Sequence, residues 1–465
     1  MSIALWKRSG RTAACALIIG LLYVTPLAAQ PSGPSNEDRL KRLEERFEEA
    51  EKRHAEDLRT RDEEIARLRG QLGRTTQPAS AIQPPEPTAD KIEQTRQDIL
   101  GEIESRQADP FSLRTPANFN PNIAVIGDFI GSHSSNRSND ALNRVDVREV
   151  ELDMRAAVDP RADGVLILAF ERDAENPVFP EGEPLEGPES SVNIEEAYLF
   201  LHDFGVPNLT AKVGRFNVRF GRQNVLHLHD LPTSDPSLVN QAFLSPEALT
   251  DGGISLSYLL PVSGTGGEAV ELIGELLAGE GAGSESATLT GDIKVDSPGF
   301  NFHALWNTNL SPEWNLELGG SFLTAPRGPD NSQRANLYGL DATFLRRDPT
   351  GGFRNTILQS EFIFGDLDQE DGGSNQSWGT YLLAQQQLNR DWYLGLRLDY
   401  TQDPNDEDSE VYGFSPYVSW YWSEFLRLRL QYQYKTGDVR TENNLFFQVT
   451  WLFGAHPPHP YWSMQ

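Results

Sequence analysis

Between Asn122 and Phe453 the chain alternates apolar and polar positions, run after run, with Gly, Pro, Asn and Asp between the runs. A period of two marks strands whose two faces meet different surroundings. The clearest run sets Leu426, Leu428, Leu430, Tyr432 and Tyr434 against Arg427, Arg429, Gln431, Gln433 and Lys435. Another sets Trp392, Leu394, Leu396, Leu398 and Tyr400 against Tyr393, Arg397 and Asp399. The pattern predicts about sixteen strands of the kind found in membrane barrels. They are expected near 122–130, 144–158, 163–173, 194–203, 208–220, 253–260, 268–278, 299–308, 313–324, 334–346, 353–365, 376–388, 391–402, 410–422, 424–436 and 443–453. A soluble sandwich would share the alternation. It would not need aromatics at both ends of its apolar faces, as Trp392 with Tyr400 and Trp420 with Trp451 suggest.

The connections support the same reading. Short ones are expected at 159–162, 203–207, 310–312, 348–352, 389–390 and the Ser423 corner. Long ones are expected at 131–143, 174–193, 221–252, 279–298, 325–333, 365–375 and 402–409, with 437–442 the shortest of its class. Strict alternation of short and long is the pattern of a bacterial outer-membrane barrel, with long loops outside and both termini in the periplasm. The fold class expected is therefore an all-β transmembrane barrel (109–453) with an α-helical N-terminal extension. The third long connection, Gly221–Asp251, is far longer than an ordinary hairpin loop. Val225, Leu226, Leu228, Leu231, Leu238, Val239, Phe243, Leu244 and Leu249 make it too apolar to hang in water. It is expected to fold into the barrel, whose lumen at this strand number is wide enough for an aqueous channel.

The first part of the chain reads differently. Lys7, Arg8 and Arg11, the apolar stretch Ala13–Val24 and the small residues at Ala28 and Ala29 predict a cleaved export signal over 1–29. Residues 36–73 carry Leu40, Leu43, Phe47, Ala50 and His54, then Leu58, Ile65, Leu68 and Leu72, at heptad spacing with one stutter. They predict a periplasmic coiled coil. A Pro-rich linker (74–90) and a short amphipathic helix (91–108) follow, and 454–465 forms a C-terminal tail. The formal charge of −28 becomes −28 − 3 = −31 once the signal's three basic residues are removed, which argues against a nucleic-acid partner. The single cysteine, Cys15, lies in the signal, so no disulfide or thiolate metal site is expected.

Charges on the polar faces suggest what the lumen does. Arg427, Arg429 and Lys435 face inward if Leu426, Leu428 and Leu430 face lipid, and Arg397 does so by the same argument. Arg215 and Arg219 alternate with Phe216, Val218 and Phe220, and Arg222 follows at the loop's entry. These predict a basic wall. Glu149, Glu151 and Asp153 alternate with Val150, Leu152 and Met154 and are expected opposite it, joined by the loop acids Asp230, Asp235, Glu247 and Asp251. Opposed charges across a narrow pore select ions. Equally, such charges could pair and simply solvate the lumen. His227, His229 and Asp230 are a candidate zinc set, since i and i+2 share a side in extended chain. His456 and His459 form a second pair at the other side of the membrane. The alternative is that these histidines hydrogen-bond within a packed loop. Ser234 and Ser237 near His229 lack a nucleophile turn, and no phosphate-binding loop is present, so no enzyme is expected.

The segments NIEEAYLFLHDF (193–204), KVGRFNVRFGRQNVLHLHDLP (212–232), DPSLVNQAFLSPEALTDGGISLSYLLP (235–261) and FGAHPPHPY (453–461) resemble a family of porin-like outer-membrane proteins. Its members are often described as zinc-regulated and sometimes mislabelled as receptors dependent on the energy-coupling protein TonB. The arrangement is more distantly similar to the phosphate-selective porins. The resemblance implies a passive channel for small hydrophilic or ionic solutes in outer-membrane lipid and a link to zinc or other metal uptake, and the coiled coil and the porin barrel both favour a homotrimer. It does not name the solute. Two rival expectations remain. A structural tether would use the coiled coil to hold the cell wall or a periplasmic partner, and deleting 31–108 separates it from a channel. An energy-coupled metal receptor needs a globular plug, for which the residues before Asn122 leave no room.

Overall fold

The computed structural model describes residues 121–454, apart from 138, 140, 174–177, 180–188, 203–204, 263–267, 280–285, 287, 351, 370–371 and 439 within the connections. The expected signal (1–29), coiled coil (36–73), linker (74–90), short helix (91–108) and the tail after Gly454, with His456 and His459, lie outside the described residues.

Sixteen antiparallel strands close into one barrel. In chain order they are β1 (Asn122–Ser134), β2 (Arg144–Asp159), β3 (Ala162–Asp173), β4 (Glu189–Leu201), β5 (Leu209–Asn217), β6 (Thr250–Leu260), β7 (Ala269–Leu277) and β8 (Gly299–Asn309). There follow β9 (Trp314–Arg327), β10 (Gln333–Arg346), β11 (Thr356–Asp368), β12 (Ser374–Gln387), β13 (Trp392–Gln402), β14 (Glu410–Ser423), β15 (Leu426–Gly437) and β16 (Glu442–Gly454). Every strand pairs with its chain neighbours, and β1 closes on β16 from Ala124↔Gly454 to Ser134↔Asn444. Closure leaves no sheet edge, the condition for a sheet to cross a bilayer.

The outer face carries the apolar row that the alternation predicts. On β15 Leu430, Tyr432 and Tyr434 are exposed while Arg427, Arg429, Gln431, Gln433 and Lys435 are buried on the inner side. Two aromatic girdles frame the apolar band. Near the short-turn rim Trp392 stacks on Trp420 with ring centroids 5.5 Å apart, Trp420 meets Trp422, and Trp451 stacks on Phe453. Near the loop rim Phe362, Trp378, Tyr400 and Tyr412 form a continuous row of ring contacts. Trp420 and Trp451 therefore do not mark opposite ends: β14 and β16 both descend to the short-turn rim, where Trp392 already lies. Aromatic girdles around an apolar band belong at the two interfaces of a bilayer. This barrel is a membrane-spanning one.

The connections alternate less strictly than expected. At the loop rim 328–332, 369–373 and 438–441 are shorter than 347–355 at the opposite rim. Length is concentrated between β3 and β8, in 174–188, 218–249 and 278–298. The inner wall also departs from the simple picture. Near the loop rim the inward residues of β9–β12 are apolar: Leu323 faces Leu337, Ala325 faces Ala335, and Ile363, Leu367 and Leu383 continue the surface. These strands are apolar on both faces there because their inner face packs on protein rather than on water.

Candidate functional site

What covers that inner surface is the segment between β5 and β6. The ladder between β5 and β6 begins only at Asn217↔Thr250, so the strand expected to run to Phe220 ends three residues earlier. Val218 N–H still donates to Leu249 O at 2.9 Å. Asn224 closes the neck: its Nδ2 donates to Val218 O and Leu249 O, and its Oδ1 accepts from Leu249 N–H at 2.7 Å. Gly221 then turns the chain inward with φ +62°. Its N–H donates to Ser321 Oγ on β9, and a Cβ there would run into the Glu361 carboxylate. Glycine is needed on both counts.

Beyond the turn the loop crosses to β11–β14. A short helix, α1 (Leu238–Phe243), is capped at its N-terminus by Ser237, whose Oγ accepts from Asn240 N–H. Leu238, Val239, Phe243 and Leu244 are all buried against the apolar wall. The wall meets them with glycines. A Cβ on Gly339 would meet Phe220 at 2.8 Å, one on Gly365 would meet Phe243 at 2.9 Å, and one on Gly379 would meet Val239 at 2.7 Å. These inward glycines are sockets for the loop's anchors. Each anchor contributes about 1.5–3 kcal/mol, against ~1–2 kcal/mol to order each residue's backbone. Apolar packing alone does not hold so long a segment, and polar ties are required.

Those ties are the expected basic wall. Arg429 donates to Leu231 O at 2.6 Å and to Thr233 O at 2.5 Å. Arg397 donates to Thr233 Oγ1 and Asp235 O, both at 2.7 Å, and pairs with Asp235 Oδ2 at 3.0 Å and Asp399 at 2.8 Å. Arg427 donates to His229 O, and Arg148 to Ser234 O at 2.6 Å while pairing with Asp128. Gln431 and Gln433 add bonds to the Asp235 carboxylate. Lys435 pairs instead with Glu442 at 3.5 Å. The inward placement read from alternation holds for Arg397, Arg427, Arg429 and Lys435. The bare basic surface does not, because the loop's carbonyls and Asp235 occupy it. Nor do the acids lie opposite: β2 is separated from β15 only by β1 and β16.

Arg215 is a further correction. Val213 is exposed on the outer face and Phe216 is fully buried inside, so alternation puts Arg215 in the outer row. Phe216, Val218 and Phe220, expected to face lipid, belong to the inner core. The reason is that Phe216 belongs to the inner row of β5, and Val218 and Phe220 carry that row on into the loop past the end of the ladder at Asn217. Arg215 donates to Thr250 Oγ1 at 3.0 Å and lines a cavity of about 370 Å³ between the top of β4 and the neck. Arg219 and Arg222 do enter the lumen. Arg219 N–H donates to Glu275 Oε2, and Arg222 lies 3.5 Å from Glu317.

The remaining predicted residues converge at the loop's other side. Glu149, Glu151 and Asp153 project inward from β2 and are buried, and Asp153 pairs with Arg155 at 2.9 Å. His227 precedes a single 3₁₀ turn (Leu228–Asp230) that carries His229 and Asp230. His229 Nδ1 lies 2.9 Å from Glu151 Oε1, and Nε2 lies 3.6 Å from Asp230 Oδ1. His227 Nδ1 lies 2.9 Å from Glu195 Oε2 and 3.5 Å from Glu151 Oε1. Its Nε2 lies 3.6 Å from Glu196 Oε2. The two rings stack with centroids 5.7 Å apart. Burial pulls the His227 imidazole down, but the carboxylates of Glu151 and Glu195 outweigh it and hold it well above its ordinary range. Glu195 and Glu196 escaped the sequence reading because both point inward only through an irregularity: the register with β3 shifts between Ile167 and Leu168. Of the two serines, Ser237 is the cap of α1, and Ser234 Oγ has no hydrogen-bond partner among the described residues.

No family model matches this chain. It is similar to an uncharacterized protein of Aquifex aeolicus, 25% identical over 437 residues, covering 80% of this chain and 86% of that one. Among solved structures it is similar in fold to an anion-selective porin from Comamonas acidovorans, at 9% identity and TM-score 0.48, covering 72% of this chain and 99% of that one. It is also similar to OmpF of Salmonella typhi in complex with daunomycin, at 12% identity and TM-score 0.46, covering 71% and 98%. OprB of Pseudomonas putida matches at 10% identity and TM-score 0.46, covering 72% and 94%. None of these descriptions carries the zinc-regulated label that the motifs suggested.

Proposed function

We propose that the chain is a passive outer-membrane channel for small hydrophilic or ionic solutes, with Gly221–Asp251 as its constriction. The observation that carries this is the loop's double attachment. Apolar anchors seat Phe220 and α1 in the glycine sockets of β10–β12, and arginines of β2, β13 and β15 hold the carbonyls of 229–235. A loop fixed on both sides of a sixteen-stranded barrel narrows the lumen to a defined size rather than flapping at its mouth. The short-turn rim and both chain ends then face the periplasm and the long connections face outward.

The selectivity we assign to the constriction comes from acids that face the loop's histidines rather than the wall's arginines. Glu149, Glu151, Glu195 and Glu196 gather on one side of the lumen. Arg397, Arg427 and Arg429 are committed to the loop. The acids therefore dominate, and the channel favours cations. A homotrimer is also part of this reading. The row of ring contacts between strands runs from β9 to β16, whereas the outer face of β2–β4 offers mainly aliphatic residues, Val145, Val147, Val192 and Ile194, with Phe170 among them, all exposed. A mainly aliphatic face outside that aromatic row suits another copy of the barrel better than a lipid interface. Liposome swelling tests the channel. Vesicles carrying the full chain should admit sugars and amino acids up to a sharp size limit. Vesicles that swell no faster than protein-free ones in any of these solutes would refute it.

A further inference from the structure

We propose that the junction of the loop with β2–β4 binds one divalent transition-metal cation of the zinc class, through Glu149, Glu151 and His229 with His227 and Glu195 completing the site. The proposal goes beyond channel function and does not require that the chain conduct.

Ligand geometry is the first support. The donor atoms of Glu149, Glu151 and His229 all lie within 4.8 Å of one another, as do those of Glu151, Glu195 and His227. The two triads share Glu151, whose Oε1 lies 2.9 Å from His229 Nδ1 and 3.5 Å from His227 Nδ1. Ligand atoms about 2.0–2.2 Å from a tetrahedral zinc ion are roughly 3.3–3.6 Å apart. The donors thus already stand near the separations that a shared cation imposes. Two imidazoles with carboxylates select zinc-like ions over calcium, which takes an all-oxygen shell.

The second support is an orphaned carboxylate. Glu149 is 3% exposed, and neither of its oxygens receives a hydrogen bond among the described residues. An ionised carboxylate buried without a donor is costly, and here Glu151 and Glu195 crowd it with like charge. Arg148, next to Glu149 in the chain, is committed to Asp128 and Ser234 O. A cation at this point would satisfy Glu149 and its neighbours together. The histidines are already oriented for it: the 3₁₀ turn sets their spacing, His229 Nε2 lies 3.6 Å from Asp230 Oδ1, and His227 Nε2 lies 3.6 Å from Glu196 Oε2. A carboxylate on the second ring nitrogen is what fixes the rings of metal-binding histidines. The cavity of about 370 Å³, lined by Glu195 and His227, supplies a path for the ion. Bound there, the cation ties the loop to β2–β4 as the arginines tie it to β13 and β15.

The test uses the full chain, purified in detergent, stripped with EDTA and titrated with Zn²⁺ by calorimetry and with Co²⁺ by visible absorption. One zinc per chain is expected, with a cobalt band typical of mixed nitrogen and oxygen ligation. Glu149→Gln/Glu151→Gln should weaken binding by at least about tenfold and shift the cobalt band. The conservative His229→Gln should do the same, and it decides the matter if the double variant fails to form a heat-modifiable barrel. His456→Ala/His459→Ala should bind as the parent does. Absence of stoichiometric zinc on the parent, or parental binding by His229→Gln, would overturn the site. Conductance of the metal-free parent reports on the channel separately, so failure of either reading is visible without the other.

Discussion

Replacing Arg429 with Met keeps the aliphatic stem and removes the guanidinium. That group is 2% exposed, and it donates to Leu231 O and Thr233 O as well as to Gln448 and Ser419 on the wall. Among the described residues it has no carboxylate partner within ion-pair distance, so its loss strands no buried acid. Hydrogen bonds from a charged donor contribute about 1.5–3 kcal/mol each, or roughly 3–6 kcal/mol for the two to the loop. The lower end, about 3 kcal/mol, is the conservative figure. At 1.4 kcal/mol per decade, the unseated fraction of 231–233 rises about a hundredfold. The strand ladder is untouched, so the barrel itself should keep its resistance to heat. Ser234→Cys is a suitable reporter, because Ser234 is 1% exposed and the only native cysteine is Cys15. A thiol reagent should label Ser234→Cys about a hundredfold faster in the Arg429→Met background. Single-channel traces should gain fast flicker. Labelling within about twofold of the Arg429 background, with equally quiet traces, would refute the idea that arginines seat the loop.

Phe243→Ala empties the socket over Gly365. A fully buried phenylalanine truncated to alanine costs about 3–5 kcal/mol, here charged to the loop, so open-channel noise should rise while barrel melting stays unchanged. Gly221→Ala meets both a φ of +62° and the Glu361 carboxylate. It should cost about 1–3 kcal/mol of loop seating and speed limited proteolysis between 222 and 249. Asp230→Asn/Asp235→Asn removes two acids and leaves Arg397 with only Asp399 as an ion-pair partner. Reversal potentials in a salt gradient should shift toward anions, and an unchanged potential would place both groups off the permeation path.

The barrel was legible because one physical signal, alternation, is repeated sixteen times and each repeat is checked by its neighbours. Leu426 to Lys435 on β15 shows how directly the faces follow. The signal fails where the inner face does not meet water. Leu323, Leu337 and Ile363 break the polar row because they share one apolar cluster with Phe220, α1 and Leu289 of the connection before β8. Phe216, Val218 and Phe220 kept the alternating pattern, yet they continue the inner row of β5 into the loop, and period alone cannot show which row of a strand faces protein. The inward placement of the arginines was readable. Their partners were not, since backbone carbonyls about two hundred positions away leave no mark in composition. Gly339, Gly365 and Gly379 were visible as glycines inside strands, which points to close approach, but only the fold names what approaches.

Single-channel recording of the full chain beside a variant shortened between Leu231 and Leu249 tests the central claim most directly. The loop should set the size of the lumen. The parent is predicted to give small, uniform, cation-selective steps, and the shortened variant larger and less selective ones. Equal conductance and equal reversal potential in two correctly folded barrels would contradict the account, because the loop would then lie off the path that ions take.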